Sequence, residues 1–568
     1  MKRWLFLLVT AVVMILQCQS QQRFDVVITE IMADPTPQVG LPNAEYVEVK
    51  NVSGSDINLQ GWRLGTTSSL SGGFPNYLLP ADSFLILTTN GSVPALRDFG
   101  RVLGVSSFPS LPNEGTTLRL VANNGAVIHF VSYAEDWYET ELKKQGGWSL
   151  EMVDVRFPCS GKANWRASSS STGGTPGVEN SVEAQNKDET PPQLVNAYLR
   201  NNTLLILQFN EPVDSASAIG LRFQVEPGVV VQQVAVSSPD FKQIQLTFAS
   251  QLQSQVLYKI EFNGVKDCAG NTALQEIVTI GLPDSVAATD IIINEILFNP
   301  KPGGADYVEL YNRSKKIIDA GKLYIANRND AGALGSFKKL TEESFYIFPA
   351  DYVVITSDLD GLTKNFHVKH TKQVLTITSM PSWPDDKGTV VVTNMQGEVV
   401  DEVQYSDKWH FELLHTTEGI ALERIDPEKR SNDKSNWHSA ASTAGYGTPT
   451  YRNSQYKALV ESTATLQILP KVFSPDNDGN DDVAIIQYRI GENGYVANVK
   501  IFDISGRLVR HLVKNDVLGQ QGSWIWNGLD ENRQKLPVGP YVVLTEIFNL
   551  QGKKKQYKQT IVLARRLN

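Results

Sequence analysis

A long internal repeat constrains the fold of this chain more than any other feature. Residues 25–51 read DVVITEIMADPTPQVGLPNAEYVEVKN and residues 290–312 read DIIINEILFNPKPGGADYVELYN; each begins with a β-branched strand, continues through a Pro-rich loop and reaches Tyr-Val-Glu. The match returns at the far end of each copy, in the paired segments 131–137 and 403–409, 149–165 and 421–437, and 174–181 and 447–454. The sequence therefore predicts two copies of one domain of about 160 residues, offset by about 265.

The remaining residues also carry the alternating apolar pattern of β-strands. Between the copies, a polar DETPP segment opens a new unit, whose strand-like runs are residues 204–209, 243–248 and 258–262. A last unit follows the second copy, with strands predicted near 496–502, 507–513 and 541–548. Long helical periodicity is almost absent, so the predicted fold class is all-β, with β-sandwich domains in tandem. Their predicted bounds are 21–183, 184–286, 287–457 and 458–568, after a leader of residues 1–20.

Length, charge and apolar patterning limit the number of domains and the kinds of partner that this chain can have. A chain of 568 residues is too long for one hydrophobic core and fits about three to five domains. The formal net charge of −9 disfavours general nucleic-acid binding, which needs a basic face. After the leader, no segment approaches about 18 consecutive apolar residues, so no membrane-spanning helix is expected.

The N-terminal residues have the pattern of a secretory signal peptide. Two basic residues precede an apolar run at residues 4–16, and small or polar residues follow up to Ser20. Cleavage after Ser20 starts the mature chain at Gln21, and the protein is predicted to be secreted, either extracellular or on the outer cell surface. Lipoprotein processing at Cys18 is the alternative, although the preceding Gln17 is bulky where a small residue is typical.

Both long repeats resemble the lamin tail domain, an immunoglobulin-like (Ig-like) sandwich found in nuclear lamins and in many exported bacterial proteins. The resemblance rests on four paired segments: the end of the opening strand (29–31; 294–296), Tyr-Val-Glu (46–48; 307–309), Asn-Trp (164–165; 436–437) and Gly-Thr-Pro (174–176; 447–449). The first copy also has the expected LQGWRL strand around Trp62, and the second copy lacks this tryptophan. The resemblance implies tandem Ig-like β-sandwiches.

The two other units resemble further Ig-like families. Residues 188–285 are similar to the bacterial Ig-like domain of surface-layer proteins, through the segments DETPP (188–192), FNEPVD (209–214) and GVKDCAGN (264–271). Residues 466–568 resemble the Ig-like domain of the flagellar hook-cap protein, through the segments VFSPDNDGNDD (472–482), VKIFDISGRLVRHL (499–512) and LPVGPYVV (536–543). Related modules close many proteins exported by the type IX pathway of Bacteroidetes, so this resemblance implies a contact with the export machinery.

Together the resemblances indicate an exported, non-enzymatic structural or interaction protein of the cell surface, whose sandwiches act as spacers or binding modules. Two alternatives stay open: an adhesin that binds a cell-surface polysaccharide or protein, and an accessory module of a secreted hydrolase or nuclease system. No catalytic domain remains once the four sandwiches are assigned. No catalytic residue and no enzymatic activity are therefore expected.

Four glutamates are the first candidates for chemistry. Glu30 and Glu48 in the first copy correspond to Glu295 and Glu309 in the second. Paired carboxylates serve as acid and base in many enzymes. These four, however, lie at strand ends beside a Pro-rich turn. We expect them to accept hydrogen bonds that fix the loop.

An acidic segment in the last unit is a candidate calcium site. Its oxygen ligands alternate along the DNDGNDD segment: Asp476, Asp478, Asn480 and Asp482. Ca²⁺ prefers oxygen-rich sites of this kind, and the segment does not have the spacing of an EF-hand loop. A solvated Asp/Asn/Gly turn is the alternative interpretation. Calcium is the one cofactor that the sequence suggests.

The two cysteines beyond the leader are a candidate disulfide. Cys159 lies near the end of the first copy, and Cys268 lies in a turn of the following unit. An export signal places both in a compartment that permits disulfides. The second copy has Ser431 at the equivalent position, so the cysteine is present only where a cysteine-bearing unit follows. Two buried free thiols are the alternative.

Overall fold

The computed structural model describes residues 22–329, 331–456, 465–476 and 481–565. Short β-strands in separate sheets dominate them, and the predicted all-β fold of tandem sandwiches is confirmed. The chain forms two compact units: one contains the described residues up to Gln251 with Tyr258–Ile280, and the other contains Leu252–Leu257 with the described residues from Gly281 onward. Among the described residues, no helix is long and apolar enough to cross a membrane.

The first long repeat is a two-layered sandwich. Its strands are β1 (Val26–Met32), β2 (Tyr46–Asn51), β3 (Ile57–Asn58), β4 (Arg63–Gly65), β5 (Leu78–Leu79), β6 (Phe84–Thr89), β7 (Val102–Val105), β8 (Gly115–Val121), β9 (Val127–Ala134), β10 (Leu150–Met152) and β11 (Trp165–Ala167). Its helices are α1 (Val93–Leu96), α2 (Glu141–Lys144) and the 3₁₀ turns Glu135–Tyr138 and Gly161–Asn164. One sheet has the order β11-β10-β1-β2-β6-β7, with β6 and β7 parallel, and the other has the order β4-β8-β9. The fully buried Trp62 and Trp165 lie in the core of this sandwich.

The unit between the two long repeats is a smaller sandwich. Its strands are β12 (Leu194–Asn201), β13 (Leu204–Phe209), β14 (Gln224–Glu226), β15 (Val231–Val236), β16 (Gln243–Phe248), β17 (Tyr258–Phe262) and β18 (Glu276–Ile280), and its helix is α3 (Ser215–Ile219). The sheets have the orders β12-β13-β16-β15 and β14-β17-β18. Apolar and polar residues alternate along β16 and β17, and only the apolar ones are buried.

The second long repeat has the architecture of the first. Its strands are β19 (Ile291–Leu297), β20 (Tyr307–Asn312), β21 (Ile318–Asp319), β22 (Leu323–Arg328), β23 (Leu334–Lys339), β24 (Tyr346–Ile347), β25 (Tyr352–Thr356), β26 (Val374–Thr376), β27 (Lys387–Asn394), β28 (Val399–Ser406), β29 (Leu422–Arg424) and β30 (Trp437–Ser439). Its helices are α4 (Leu359–Asn365) and the 3₁₀ turns Ala320–Lys322, Thr371–Gln373, Asp407–Trp409, Lys434–Asn436 and Ser442–Ala444. One sheet has the order β26-β25-β20-β19-β29-β30, with β25 and β26 parallel, and the other has the order β23-β22-β27-β28.

The C-terminal domain is a third kind of sandwich. Its strands are β31 (Thr465–Leu469), β32 (Val472–Phe473), β33 (Ala484–Arg489), β34 (Tyr495–Asp503), β35 (Leu508–Val517), β36 (Gln521–Trp526), β37 (Gly539–Asn549) and β38 (Lys554–Leu563). The sheets have the orders β31-β33-β36 and β32-β38-β37-β34-β35. Trp524 and Trp526 are both buried in the core between them.

Candidate functional site

A β-bulge sets the direction of a central glutamate in each long repeat. The pairing of β1 with β2 shifts register between Ile28 and Glu30, and the pairing of β19 with β20 shifts at the matching place, between Ile293 and Glu295. Ile28 lies in the core of the sandwich, and Glu30 lies on the opposite face of the sheet. Bulges commonly re-aim a side chain in this way.

Three glutamates lie side by side on that outer face. Glu30 pairs across the strands with Glu151 on one side and with Glu48 on the other. The equivalent trio in the second repeat is Glu295, Glu423 and Glu309. All six side chains are completely buried. Because charged groups are rarely buried without partners, their burial needs a source of hydrogen bonds.

The segment after the last strand of each repeat supplies those hydrogen bonds. This closing strap comprises residues 174–182 in the first repeat and 447–455 in the second, and begins with Gly-Thr-Pro in both. The backbone N–H groups of the first strap donate in succession: Thr175 to Glu30 (2.9 Å), Gly177 to Glu48 (2.5 Å) and Val182 to Glu151 (3.2 Å). Strap and glutamates together form what we term the carboxylate clasp.

The second repeat reproduces the clasp bond by bond. The backbone N–H groups donate from Thr448 to Glu295 (3.0 Å), from Thr450 to Glu309 (2.6 Å) and from Gln455 to Glu423 (2.8 Å). The Thr448 hydroxyl oxygen also lies within hydrogen-bonding distance of both Glu295 (2.8 Å) and Glu423 (3.0 Å). Two segments with different sequences therefore form the same contacts.

Side-chain hydroxyl groups also donate hydrogen bonds to the central glutamate of each clasp. In the first repeat, the Tyr46 hydroxyl (2.7 Å) and the Ser149 hydroxyl (2.6 Å) donate to Glu30 Oε1. In the second repeat, the Tyr307 hydroxyl donates to Glu295. The tyrosine of the Tyr-Val-Glu segment is thus part of the clasp in both copies.

The glycine that begins each strap is required by close packing. A Cβ atom at Gly174 would lie 2.6 Å from Glu30 Oε1 and 2.8 Å from the Tyr46 hydroxyl oxygen. A Cβ atom at Gly447 would lie 2.6 Å from the Tyr307 hydroxyl oxygen. Side-chain carbons do not approach other atoms so closely, so only glycine lets the strap reach the carboxylates.

Burial changes the acidity of these groups. Burial, reinforced by the neighbouring Glu151 carboxylate, raises the pKa of Glu30 to about 7. Burial and the Glu423 carboxylate likewise raise the pKa of Glu295 to about 8. The pKa values of Glu48 and Glu309 are also raised well above the ordinary range, by burial first and then by the central glutamate. Because like charges this close oppose ionisation, we expect each trio to retain a proton at neutral pH.

This geometry suits a structural clamp. Each of the six carboxylates accepts hydrogen bonds from donors of the same repeat, and their side chains are not exposed to solvent; Glu30 accepts them through Oε1, and its Oε2 is buried without a partner. Glu30, Glu48, Glu295 and Glu309 accept hydrogen bonds, as the sequence predicts, but the segment that they fix is the closing strap and not the Pro-rich turn beside them. Glu151 and Glu423 complete the two trios, and no prediction from the sequence singled them out. The ungapped match of residues 149–165 with 421–437 was a signal that could have identified them.

The structure brings the two candidate disulfide cysteines together. Cys159 and Cys268 form a disulfide, with Cα atoms 6.4 Å apart. This separation lies within the range that disulfides require. The bond joins the first repeat to the smaller sandwich that follows it, within the same compact unit. Arg23 supports the same junction, because its guanidinium lies 3.6 Å from the ring centroid of Phe241.

The candidate calcium ligands are only partly described. Asp478 and Asn480 lie outside the described residues. Of the remaining two, Asp476 accepts a hydrogen bond from the Ser474 hydroxyl (3.2 Å).

A different acidic cluster lies in the first unit. One carboxylate oxygen from each of Asp188, Glu211 and Asp267 lies within 4.8 Å of the others. Burial, followed by the charges of the two aspartates, raises the pKa of Glu211 to about 7. Oxygen ligands of this type suit a hard cation, but the amide of Asn271 already donates to Asp267 (2.8 Å).

Solved structures show only remote similarity. The N-terminal part of the bacterial S-layer protein SbsC aligns at 16% identity over 38% of this chain and 44% of that chain, with a TM-score of 0.16. PorZ, a surface component of the type-IX secretion system of Porphyromonas gingivalis, aligns at 10% identity over 93% and 86% of the two chains, with a TM-score of 0.17. A tetra-tandem repeat from a large adhesion protein gives 11% identity over 95% and 99%, with a TM-score of 0.13. TM-scores this low support no inference about function.

Family comparison identifies three of the domains. The model of the Lamin Tail Domain matches residues 19–135 and 285–407, and that of the Bacterial Ig-like domain matches residues 188–281. Both lamin tail matches end before the third glutamate and the closing strap. No curated protein matches the sequence significantly. The chain carries two lamin tail domains separated by one bacterial Ig-like domain.

Proposed function

We propose that the protein is an exported, non-enzymatic structural and interaction protein of the cell surface. Its β-sandwiches act as spacers and binding modules outside the cell. The observation that carries the proposal is the carboxylate clasp. In both lamin tail domains, the acidic groups that resemble a catalytic pair are fully buried and bonded to the backbone of the closing strap.

The disulfide between Cys159 and Cys268 supports export. Disulfides persist in oxidising compartments, whereas cytosolic thiols are kept reduced. A covalent bond between two adjacent sandwiches also suits a protein that must hold its shape without chaperones outside the cell.

Fractionation of cells that express the full chain tests the proposal. We expect the protein to start at Gln21 by mass spectrometry and to be cleaved when intact cells are treated with protease. A lipid on Cys18 would replace the secretory processing but leave the surface location unchanged. A chain that keeps residues 1–20 and stays in the cytoplasm would contradict the proposal.

The C-terminal domain is proposed to direct the export. Residues 458–568, fused behind a reporter with a secretory leader, are then expected to place that reporter on the surface of a type IX-competent host. The matched control is the same fusion made with residues 188–285. Equal surface display of both fusions would refute the sorting role.

Calcium binding near Asp476, Asp478, Asn480 and Asp482 is proposed for the same domain. Since a ligand of the native state stabilises it, millimolar Ca²⁺ is expected to slow hydrogen exchange in β31 and β33. The Asp476→Asn/Asp482→Asn variant serves as the control. Identical exchange with Ca²⁺ and with a chelator would remove the site.

A further inference from the structure

A large cleft lies beside the closing strap of the second lamin tail domain. Its volume is about 1190 Å³, and its walls come from that domain and from the C-terminal sandwich, within one compact unit. Direct hydrogen bonds join the two walls: Gln520 N–H donates to Ser454 O (3.0 Å), and the Asn493 side-chain amide donates to Gln455 O (2.7 Å). The cleft is therefore a built feature of this unit, and it is large enough for several sugar residues.

The cleft is strongly basic in a chain whose net charge is −9. Its lining includes four permanently cationic side chains, namely Lys369, Lys372, Arg452 and Arg489, and one acidic side chain, Asp351. All four cations are exposed. Among the described residues, Lys369, Arg452 and Arg489 form no salt bridge. These three cations, which form no salt bridge among the described residues, favour an anionic ligand.

Aromatic rings lie between these charges. Tyr352, Tyr451 and Tyr456 line the cleft. The guanidinium of Arg452 lies 5.3 Å from the ring centroid of Tyr456, which holds the cation over an aromatic face. Tyrosine combines an apolar ring face with a polar hydroxyl, so it can contact the C–H face of a sugar and also bond to its hydroxyls.

In the first lamin tail domain, the equivalent surface has an internal ion pair in place of an unpaired cation. Lys50 of the first domain and Tyr311 of the second occupy equivalent positions. Each pairs across the strands with the same position of the opening strand, which is Val27 in β1 and Ile292 in β19. The straps align Glu179 with Arg452.

In the first domain, Lys50 Nζ forms a salt bridge with Glu179 (2.8 Å) and lies 4.7 Å from the ring centroid of Phe84. In the second domain the lysine is replaced by Tyr311 and the glutamate by Arg452, so the internal ion pair is lost. The glutamate of the first strap is paired with a lysine of its own domain, whereas the arginine of the second strap is exposed to solvent.

We propose that this cleft binds an acidic polysaccharide, a chain of sugars that carry carboxylate or sulfate groups. The cations contact the acidic groups, and the tyrosines contact the faces of the sugar rings. The inference deepens the proposed surface role by naming a class of ligand. Because binding is measured on the purified chain, a failure to bind leaves the export proposal standing, and a failure of export leaves the binding result standing.

A polysaccharide fits this surface better than a nucleic acid does. Nucleic acids carry one phosphate per nucleotide and need a basic track along which the backbone lies. Here the positive charge is confined to one cleft of a chain with an overall charge of −9. The amide side chains of Gln373, Gln520 and Gln521 also line the cleft, and amides can bond to the hydroxyl groups that every sugar presents.

Affinity electrophoresis of the mature chain tests the inference. The polymers in the gel are polygalacturonate, dextran sulfate, neutral dextran and single-stranded poly(dT). We expect retardation by polygalacturonate, dextran sulfate or both, and none by dextran; the two acidic polymers distinguish carboxylate from sulfate recognition. Added salt is expected to weaken the retardation.

A matched pair of variants locates the site. The variant Tyr311→Lys/Arg452→Glu installs the ion pair of the first domain and is expected to weaken binding at least about tenfold. The reverse exchange in the first domain, Lys50→Tyr/Glu179→Arg, is the control. It removes an ion pair that is not part of the cleft and is expected to leave the affinity for the acidic polymer unchanged. The variant Tyr451→Ala is expected to weaken binding several-fold, a loss that simple charge attraction does not predict.

Three results would overturn the inference. The first is equal migration in the acidic polymers and in neutral dextran. The second is unchanged binding by Tyr311→Lys/Arg452→Glu, with its fold verified by hydrogen exchange. The third is binding to poly(dT) as tight as to the acidic polysaccharides at the same ionic strength.

Discussion

The two lamin tail domains share the carboxylate clasp but differ at the position of Cys159 and Ser431. In the first domain, Cys159 is bonded to Cys268 of the neighbouring Ig-like domain. In the second, the Ser431 hydroxyl donates to Asp401 and accepts a hydrogen bond from Arg424 (2.7 Å). The same position therefore attaches a neighbour in one copy and completes an internal network in the other. The clasp is the element common to both copies, and this junction differs between them.

A second pair of equivalent residues, His129 and Asp401, also differs between the two domains. The backbone N–H of Ile28 donates to His129 (3.0 Å), whereas that of Ile293 donates to Asp401 (2.8 Å). Burial lowers the pKa of His129 to about 4, so the imidazole is neutral at neutral pH and needs no counter-ion. Asp401 instead lies beside Arg424, which is 1% exposed. A buried carboxylate thus occurs together with a buried cation.

Reduction of the disulfide is expected to have the largest effect. In the chain-entropy model, a cross-link spanning 109 residues contributes about 4–5 kcal/mol. Reduction, or the variant Cys159→Ser, is expected to increase hydrogen exchange in the described residues of the first unit. The second lamin tail domain, which lacks the cysteine, is the internal control. Two thiols that react with a titrant in the unreduced protein would contradict this prediction.

Loss of the buried cation is expected to follow in size. Arg424→Met introduces the residue of the first domain, Met152, and leaves Asp401 buried without its counter-ion. We expect a loss of about 3 kcal/mol in the free energy of unfolding of the second domain, measured by hydrogen exchange under native conditions. The paired variant Arg424→Met/Asp401→His, which copies both residues of the first domain, should recover much of it. Equal losses in both variants would show that the pair is not coupled.

Raising the pH is expected to weaken both domains by on the order of a few kcal/mol, and the second domain more than the first because the pKa of Glu295 is raised further than that of Glu30. The folded-state pKa values of about 7 for Glu30 and about 8 for Glu295 lie above the ordinary value of 4.5. The folded protein then binds more protons than the unfolded chain. This stabilisation is fully present below pH about 4.5 and is lost as the pH rises through 7 in the first domain and through 8 in the second.

Hydrogen exchange from pH 5 to 9, corrected for intrinsic rates, measures this loss in each domain separately. Glu30→Gln should make the stability of the first domain less dependent on pH and leave the pH dependence of the second domain unchanged. A rise of stability with pH across this range would contradict the assigned shifts.

The smallest expected effect concerns backbone strain in the second strap. Thr450 has φ +72°, where Gly177 of the first strap has φ +85°. A β-branched residue is strained in this region, but the Thr450 hydroxyl accepts a hydrogen bond from His370 N–H (2.8 Å). We expect Thr450→Gly to stabilise the second domain by about 0.5–1 kcal/mol, since relief of strain exceeds the loss of that bond. The reverse variant Gly177→Thr should destabilise, because a Cβ there would lie 2.1 Å from Phe99 O.

Local patterns in the sequence predicted much of the fold. The alternating runs at 204–209, 243–248 and 258–262 coincide with β13, β16 and β17. Burial alternates with a period of two along β16 and β17, which have one face against a core, whereas Leu205, Ile206 and Leu207 of β13 are all buried and form a continuous apolar run. The repeat itself was visible because both copies retain the same strand and strap residues.

The clasp could be predicted only in part. The glutamates at 30, 48, 295 and 309 were recognised as acceptors, but the strap amides that donate to them lie more than a hundred residues further along the chain. Glu151 joins the trio because β10 pairs with β1, and no local pattern encodes that pairing. The cleft was beyond prediction for the same reason, since its cations come from a loop, a strap and another domain.

Hydrogen exchange of the strap amides tests the clasp most directly. The amides of Thr175, Gly177 and Val182 donate to buried carboxylates and are expected to exchange slowly in the wild-type chain. Glu30→Ala leaves the Thr175 amide without its acceptor, so the first strap should lose protection by several orders of magnitude while the second strap is unchanged. Strap amides that exchange as fast as exposed loops in the wild type, or that are insensitive to Glu30→Ala, would contradict the account.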